Sequence, residues 1–262
     1  MTFSSSTQSI FCHRQLDVSQ LNYVYSMETA SNILRELETM GSEQTKKTLI
    51  KHGAPENMFG VKIGDMKDIV KRIKKDYQLA LDLFNTGNSD AMYLAGLIGD
   101  ETKMTKADLN HWAKNSTWHL ISEYAVPFVA AESNYGFELS LEWIQSKNER
   151  IATAGWATLS AFVSITADEK LDIKALEKLL DLVTKEIHQS TNRIRYTMNG
   201  FVISIGGYVR ALNAKAKETA KAIGKVNVSM GDTACKVPDA LQYIEKMEKM
   251  YPVGKKRKTA RC

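Results

Sequence analysis

Apolar residues along this chain recur at intervals of three and four and almost never alternate. Met66, Ile69, Val70, Ile73 and Tyr77 repeat at helical spacing after Gly64-Asp65, and Ile33, Leu34 and Leu37 share one face of a helix over 27–40. A helix over 43–52 stops at Gly53, with Pro55 just beyond. Thr86-Gly87-Asn88 divides a helical pair at 78–85 and 89–98, and Thr105 and Asp108 have the spacing of a capping box. The same pattern predicts helices over 116–130, 135–145, 149–164, 173–188, 191–205, 209–223 and 238–250. Only K-V-N-V-S-M at 225–230 departs from it, as a short strand or an extended loop. About a dozen helices with short connections fit an all-α fold, an α-solenoid of antiparallel helix pairs, better than a four-helix bundle. Helix 149–164 is apolar nearly all round, as a helix sandwiched inside such an array must be. No repeat consensus is visible, so this expectation rests on helix pairing and length.

Composition agrees with this pattern and narrows the function classes. Four prolines in 262 residues leave long stretches free for helices. No apolar run approaches the roughly 20 residues of a membrane span, and the first residues lack the apolar core of a secretory signal. Cys12, Cys235 and Cys262 are scattered and odd in number, which fits reduced thiols in the cytoplasm and gives neither a disulfide framework nor a metal site. Walker, G-x-G-x-x-G, H-E-x-x-H and G-x-S-x-G motifs are all absent, so the sequence implies no cofactor. The net charge of +5 is carried by Lys255, Lys256, Arg257, Lys258 and Arg261. This tail reads either as an arm that neutralises phosphates or as a solvated end.

Two stretches hold candidate chemistry. In N-S-T-W-H-L-I-S-E-Y (115–124), Trp118 and Ser122 share one helical face, and His119 and Glu123 share the next. Trp118 also belongs to an apolar stripe with Ile121 and Ala125, and a tryptophan so placed more often packs in a core than reacts. In T-N-R-I-R-Y-T-M-N-G-F (191–201), Ile194, Met198, Phe201 and Ile205 form the apolar stripe. Asn192, Arg195, Tyr196 and Asn199 fall together on another face, and Arg193 lies beside them. Such side chains can hold phosphates and stack on sugars or bases, or simply form a solvated face.

The runs M-F-G-V-K-I-G-D-M-K, W-I-Q-S-K-N-E-R-I-A and N-R-I-R-Y-T-M-N-G-F, together with the all-helical plan, resemble the DNA alkylation repair family of AlkD-type HEAT-like-repeat DNA glycosylases. The resemblance covers roughly residues 27–250. It implies a C-shaped solenoid whose concave face binds DNA. Residues 1–25, rich in Ser, Thr and Gln with no lasting period, read as a leader, poorly ordered or a short helix; one HEAT-like-repeat domain at 26–252 and the basic tail at 253–262 follow. Active members excise cationic alkylpurines such as 3-methyladenine and 7-methylguanine. An aspartate stabilises the charge that develops on the sugar, and tryptophans contact that sugar.

The family motif Trp-Trp-Asp-x-x-Asp corresponds here to Thr117-Trp118-His119-Leu120-Ile121-Ser122. The second tryptophan is kept and the catalytic carboxylate is replaced by a serine, which carries no charge at neutral pH. The other cleft aromatic falls on Phe201, and the family's arginine falls near Thr153. Glu123 is the nearest acid, but it lies about 100° further round an α-helix and needs a different backbone geometry to substitute. The resemblance thus implies a branch that binds damaged, distorted or branched DNA with weak or no excision. Expected DNA contacts are Trp118, His119, Ser122, Arg193, Arg195, Tyr196, Asn199, Phe201, Lys255, Lys256, Arg257 and Lys258. Catalytic candidates are Glu123 and Trp118. The chain is expected to be a monomer, cytoplasmic and nucleoid-associated when bound. An active alkylpurine glycosylase and a HEAT-like protein-interaction scaffold are the alternatives.

Overall fold

The computed structural model describes residues 28–261; the leader and two of the three cysteines lie outside them. Every regular element among the described residues is helical, and segment 225–230 is an extended loop. The α-helices are α1 (Ala30–Met40), α2 (Glu43–Lys51), α3 (Lys67–Ile73), α4 (Tyr77–Asn85), α5 (Ser89–Ile98), α6 (Lys106–Asn115), α7 (Val126–Glu132), α8 (Gly136–Trp143), α9 (Glu149–Ile165), α10 (Ile173–Glu186), α11 (Asn192–Tyr208), α12 (Asn213–Ile223) and α13 (Ala240–Met250).

Local chemistry sets most of these boundaries. Side chains of Thr29, Ser42, Asp76, Asn88, Asn148, Asp172 and Asp239 accept hydrogen bonds from first-turn backbone N–H groups of their helices, and Thr105 with Asp108 closes the capping box of α6. Gly87 breaks α4 from α5 with φ +68°, a conformation that favours glycine.

From α3 to α13 the odd-numbered helices pack side by side in chain order, and the even-numbered ones lie against them as a second layer. α5 and α9 are buried on nearly every side. One core cluster runs from Ile33 to Ala154 and a second from Trp156 to Ile244, so the two meet within α9. Each fully buried Leu, Ile or Phe contributes roughly 1.5–3 kcal/mol.

Two connections do more than join helices. The run Met58-Phe59-Gly60-Val61 wraps round the buried Asp90 carboxylate, which accepts the backbone N–H groups of Phe59, Gly60 and Val61 at 2.7, 3.0 and 3.1 Å. The loop between α12 and α13 leaves the second layer and reaches α2, where the Asp232 N–H donates to the Lys51 carbonyl at 3.2 Å.

Candidate nucleic-acid interface

The stretch 116–130 is not one regular helix. The chain bends at Ser116–Trp118, resumes as helix at His119, and widens into a π-helical turn over Ile121–Ala125 before α7. Pro127 explains the widening. It has no N–H to give the carbonyl four residues back, and its ring crowds that carbonyl. The Val126 N–H instead donates to Ile121, five residues away. A π turn takes up an extra residue and so shifts the facing of what lies within it. Ser122 therefore points into the core, 1% exposed, with its hydroxyl 3.5 Å from the His119 carbonyl. Glu123 turns to the groove between α7 and α11.

That carboxylate is engaged. Arg193, in the first turn of α11, donates from Nε and Nη2 to the two Glu123 oxygens at 2.6 and 2.5 Å. The Arg193 guanidinium also lies 4.4 Å from the Tyr196 ring centroid, and its backbone N–H donates to Glu149 at 2.9 Å. Burial pushes the Glu123 carboxyl up to about 7, with the opposing pull of Arg193 insufficient to bring it back. Burial and the Arg193 charge push His119 down to about 4, so its ring is neutral at physiological pH.

The remaining expected contacts separate. Trp118, 5% exposed, lies edge-on to His119 at 4.9 Å and lines an apolar cavity with Met58, Met66 and Tyr93, on the α2 side of the bend. Phe201, placed in the cleft by resemblance, is fully buried and meets Trp156 edge-on at 5.2 Å. That is a correction, and its reason is the stripe Met198-Phe201-Ile205, which forms the inner face of α11. Thr153 is likewise buried, with no partner for its hydroxyl. Asn199 and Asn192 are used within the fold. Asn199 donates to the Pro238 carbonyl at 2.9 Å. Asn192 pairs its side-chain amide with both the N–H and the carbonyl of Ser229, at 2.7 and 2.9 Å. They hold the ends of the loop 225–239 against α11. Arg195 is partly buried, and its Nε has no hydrogen-bond partner.

The basic tail folds back across the array instead of standing free. Lys256 donates to the Val163 and Tyr208 carbonyls at 2.9 and 2.6 Å and stands 2.8 Å from Asp168. The Arg257 N–H donates to Ser164 at 2.8 Å. Arg261 bonds the Gly96 and Gly99 carbonyls at 3.2 and 2.5 Å and pairs with Glu101 and Glu132. These acceptors are at the C-terminal ends of α5, α7, α9 and α11, where carbonyls lack intrahelical partners and the helix dipole attracts cations. Two of the tail's charges are thus committed inside the fold, while Lys255, Arg257 and Lys258 are exposed.

Sequence reasoning missed Glu149, the partner of the Arg193 backbone, and the bridge from 225–239 to α2. Neither carries a motif. Among the described residues no group of three or more His, Cys, Asp or Glu side chains is placed to hold a metal ion, and no helix is long and apolar enough to cross a membrane.

Comparison with known proteins agrees with this architecture. The family model described as DNA alkylation repair enzyme matches residues 33–244. An uncharacterized protein of Listeria monocytogenes serovar 1/2a is 34% identical over 226 residues, covering 84% of this chain and 97% of that protein. One of Listeria innocua serovar 6a matches to the same extent. A solved structure superposes with a TM-score of 0.82 at 34% identity, covering 90% of this chain and all of the other. It is described as "a new family of proteins related to the HEAT-like repeat DNA glycosylases with affinity for branched DNA structures".

Proposed function

The chain belongs to the DNA alkylation repair enzyme family, and from that premise we propose that it is a repair-associated protein that binds distorted or branched DNA with little or no base excision. The observation that carries the proposal is the pairing of Glu123 with Arg193. Loss of a cationic alkylated base leaves positive charge on the deoxyribose, and a carboxylate helps only with its charge directed at the sugar. Here the carboxylate that the π turn brings to the groove is buried and already neutralised by a guanidinium. The position that the resemblance aligns with the family's aspartate is Ser122, and its side chain is buried. What remains at the groove suits holding: Tyr196 offers a ring face and Arg257 a cation that a phosphate can meet. The affinity of the superposed structure for branched DNA supports the same substrate class. On this reading the protein acts as a monomer at the nucleoid.

A paired assay on one preparation tests the proposal. Release of 3-methyladenine and 7-methylguanine from methylated duplex should stay at background, while four-way or forked DNA binds more tightly than linear duplex. A second reading, an active alkylpurine glycosylase, draws on the π turn that presents Glu123 to the groove. Robust excision by the natural protein, abolished in Glu123→Gln, establishes that reading and removes the first.

A further inference from the structure

Glycines inside the odd-numbered helices mostly mark close packing. A Cβ at Gly155 would fall 2.7 Å from the Ile144 nitrogen, and one at Gly206 2.5 Å from the Ile244 side chain. Gly200 is the exception. It sits in the middle of α11, where a Cβ would meet nothing within 4 Å. Glycine weakens a helix interior relative to alanine, and packing here gives no reason for it.

The space beside Gly200 is a groove of about 330 Å³ between α7, α9 and α11. That volume lies in the small-ligand range, roughly 300–1,000 Å³. Its floor is made of small side chains, among them Ala157, Ser160 and Ser204. Its walls carry four tyrosines, Tyr124, Tyr196, Tyr208 and Tyr243. α13 and the loop 225–239 bound it through Met247 and Pro238, and the folded-back tail closes the far side with Ala260 and Arg257. A duplex does not fit between these walls. The Ser160 hydroxyl is spent on the Trp156 carbonyl and the Thr197 hydroxyl on its own helix, so their oxygens face a ligand as acceptors. Burial pushes the Tyr208 phenol up, so it stays protonated; Arg257, exposed beside it, opposes that shift only in part.

We infer that this groove receives one unpaired nucleobase with its sugar, stacked among the tyrosines, while Arg257 takes the adjoining phosphate. The inference rests on the DNA-binding reading and deepens it. Bulges and the unpaired ends of forked or distorted DNA supply a base that costs least to unstack, so the groove selects them over intact duplex. Tyrosine faces stack on any base, which makes the selection structural and independent of sequence.

The test uses two duplexes of one sequence, one with a single bulged 2-aminopurine and one fully paired. The natural protein should bind the bulged duplex on the order of tenfold more tightly and change the fluorescence of the bulged base. Gly200→Leu fills the groove from α11 and should bring the two affinities together, leaving that for the paired duplex unchanged. Ser160→Leu fills it from α9 and should do the same, which keeps the test intact if one variant fails to fold. A folded variant that keeps the tenfold preference and the fluorescence change overturns the inference. Equal affinity of the natural protein for both duplexes overturns it too, while leaving DNA binding standing. Absence of binding to either duplex removes the DNA-binding reading and the groove's role together.

Discussion

Glu123 and Arg193, seventy residues apart in sequence, form a two-point ion pair that joins α11 to the π turn before α7. The carboxylate side chain is 3% exposed and the guanidinium 15%. Removing one partner of a buried pair is costly, because the other is left charged and unpaired. The pair therefore locks α11 to the π turn, and it holds the Glu123 carboxylate against a guanidinium.

Arg193→Met should destabilise the fold by about 3–5 kcal/mol at pH 8, the usual cost of stranding a buried charge. The loss should shrink toward pH 6, because the freed carboxyl is then protonated. Glu123→Gln combined with Arg193→Met should recover most of the stability. Ser122→Asp, which places a charge in the core, should also destabilise and should not create excision. Chemical denaturation of these variants, with Glu123→Gln alone to complete the cycle, checks this. An additive double variant would mean that the two residues do not interact in solution.

DNA affinity should strengthen as pH falls through about 7. Protonation of Glu123 removes a negative charge from the groove and leaves Arg193 uncompensated toward phosphate. The other groups near Glu123 are Glu149, Tyr196 and His119; His119 stays neutral over this range, since its titration lies near 4. Stability moves in the same sense. The folded carboxyl sits above its ordinary value of 4.5, so its contribution is complete below that value and is lost as pH rises to about 7. Binding isotherms between pH 6 and 8, with Glu123→Gln as the comparison, isolate this component. A pH slope equal in both proteins would assign it elsewhere.

The helix pairs are legible in the sequence because their signals are local. Asn88 after Gly87, and Thr105 with Asp108, each fix a helix start within four residues. The stripe Ile194-Met198-Phe201-Ile205 already announces a buried face, and the structure follows it where the resemblance places Phe201 in the cleft. Pro127 is the visible sign of an irregular turn, but a proline near a helix start is also compatible with an ordinary helix. The Glu123–Arg193 pair and the course of the tail depend on contacts between distant segments, about which one sequence carries no pairing information.

Asn192 holds the loop 225–239 by imitating a strand partner for Ser229. Asn192→Ala removes both bonds, each worth about 0.5–1.5 kcal/mol. The bond from Asp232 to the α2 carbonyl of Lys51 should then open as well. Hydrogen exchange should speed up at Ser229 and Asp232 while the core of α9 keeps its protection. Unchanged exchange at those two amides would show that the loop is held by other contacts.

The tail separates into charges that hold the fold and charges that remain available. Arg261 caps carbonyls at the end of α5 and pairs with Glu101 and Glu132, all within the array. Hydrogen bonds to a charged group contribute about 1.5–3 kcal/mol. Arg261→Ala should therefore lower Tm by about 4–8 °C, taking about 2 kcal/mol and the usual sensitivity of a chain this size. Lys258→Ala should leave Tm unchanged. For DNA the order reverses. Lys255→Ala with Lys258→Ala should flatten the dependence of log affinity on log salt by up to about 1.8, near 0.9 for each phosphate no longer neutralised. Arg261→Ala should change the slope little in the folded protein. A free phosphate-seeking arm predicts the opposite result: Arg261→Ala would flatten the slope as much as Lys258→Ala does and leave Tm where it was. Thermal melts and salt titrations on the same variants decide between the two.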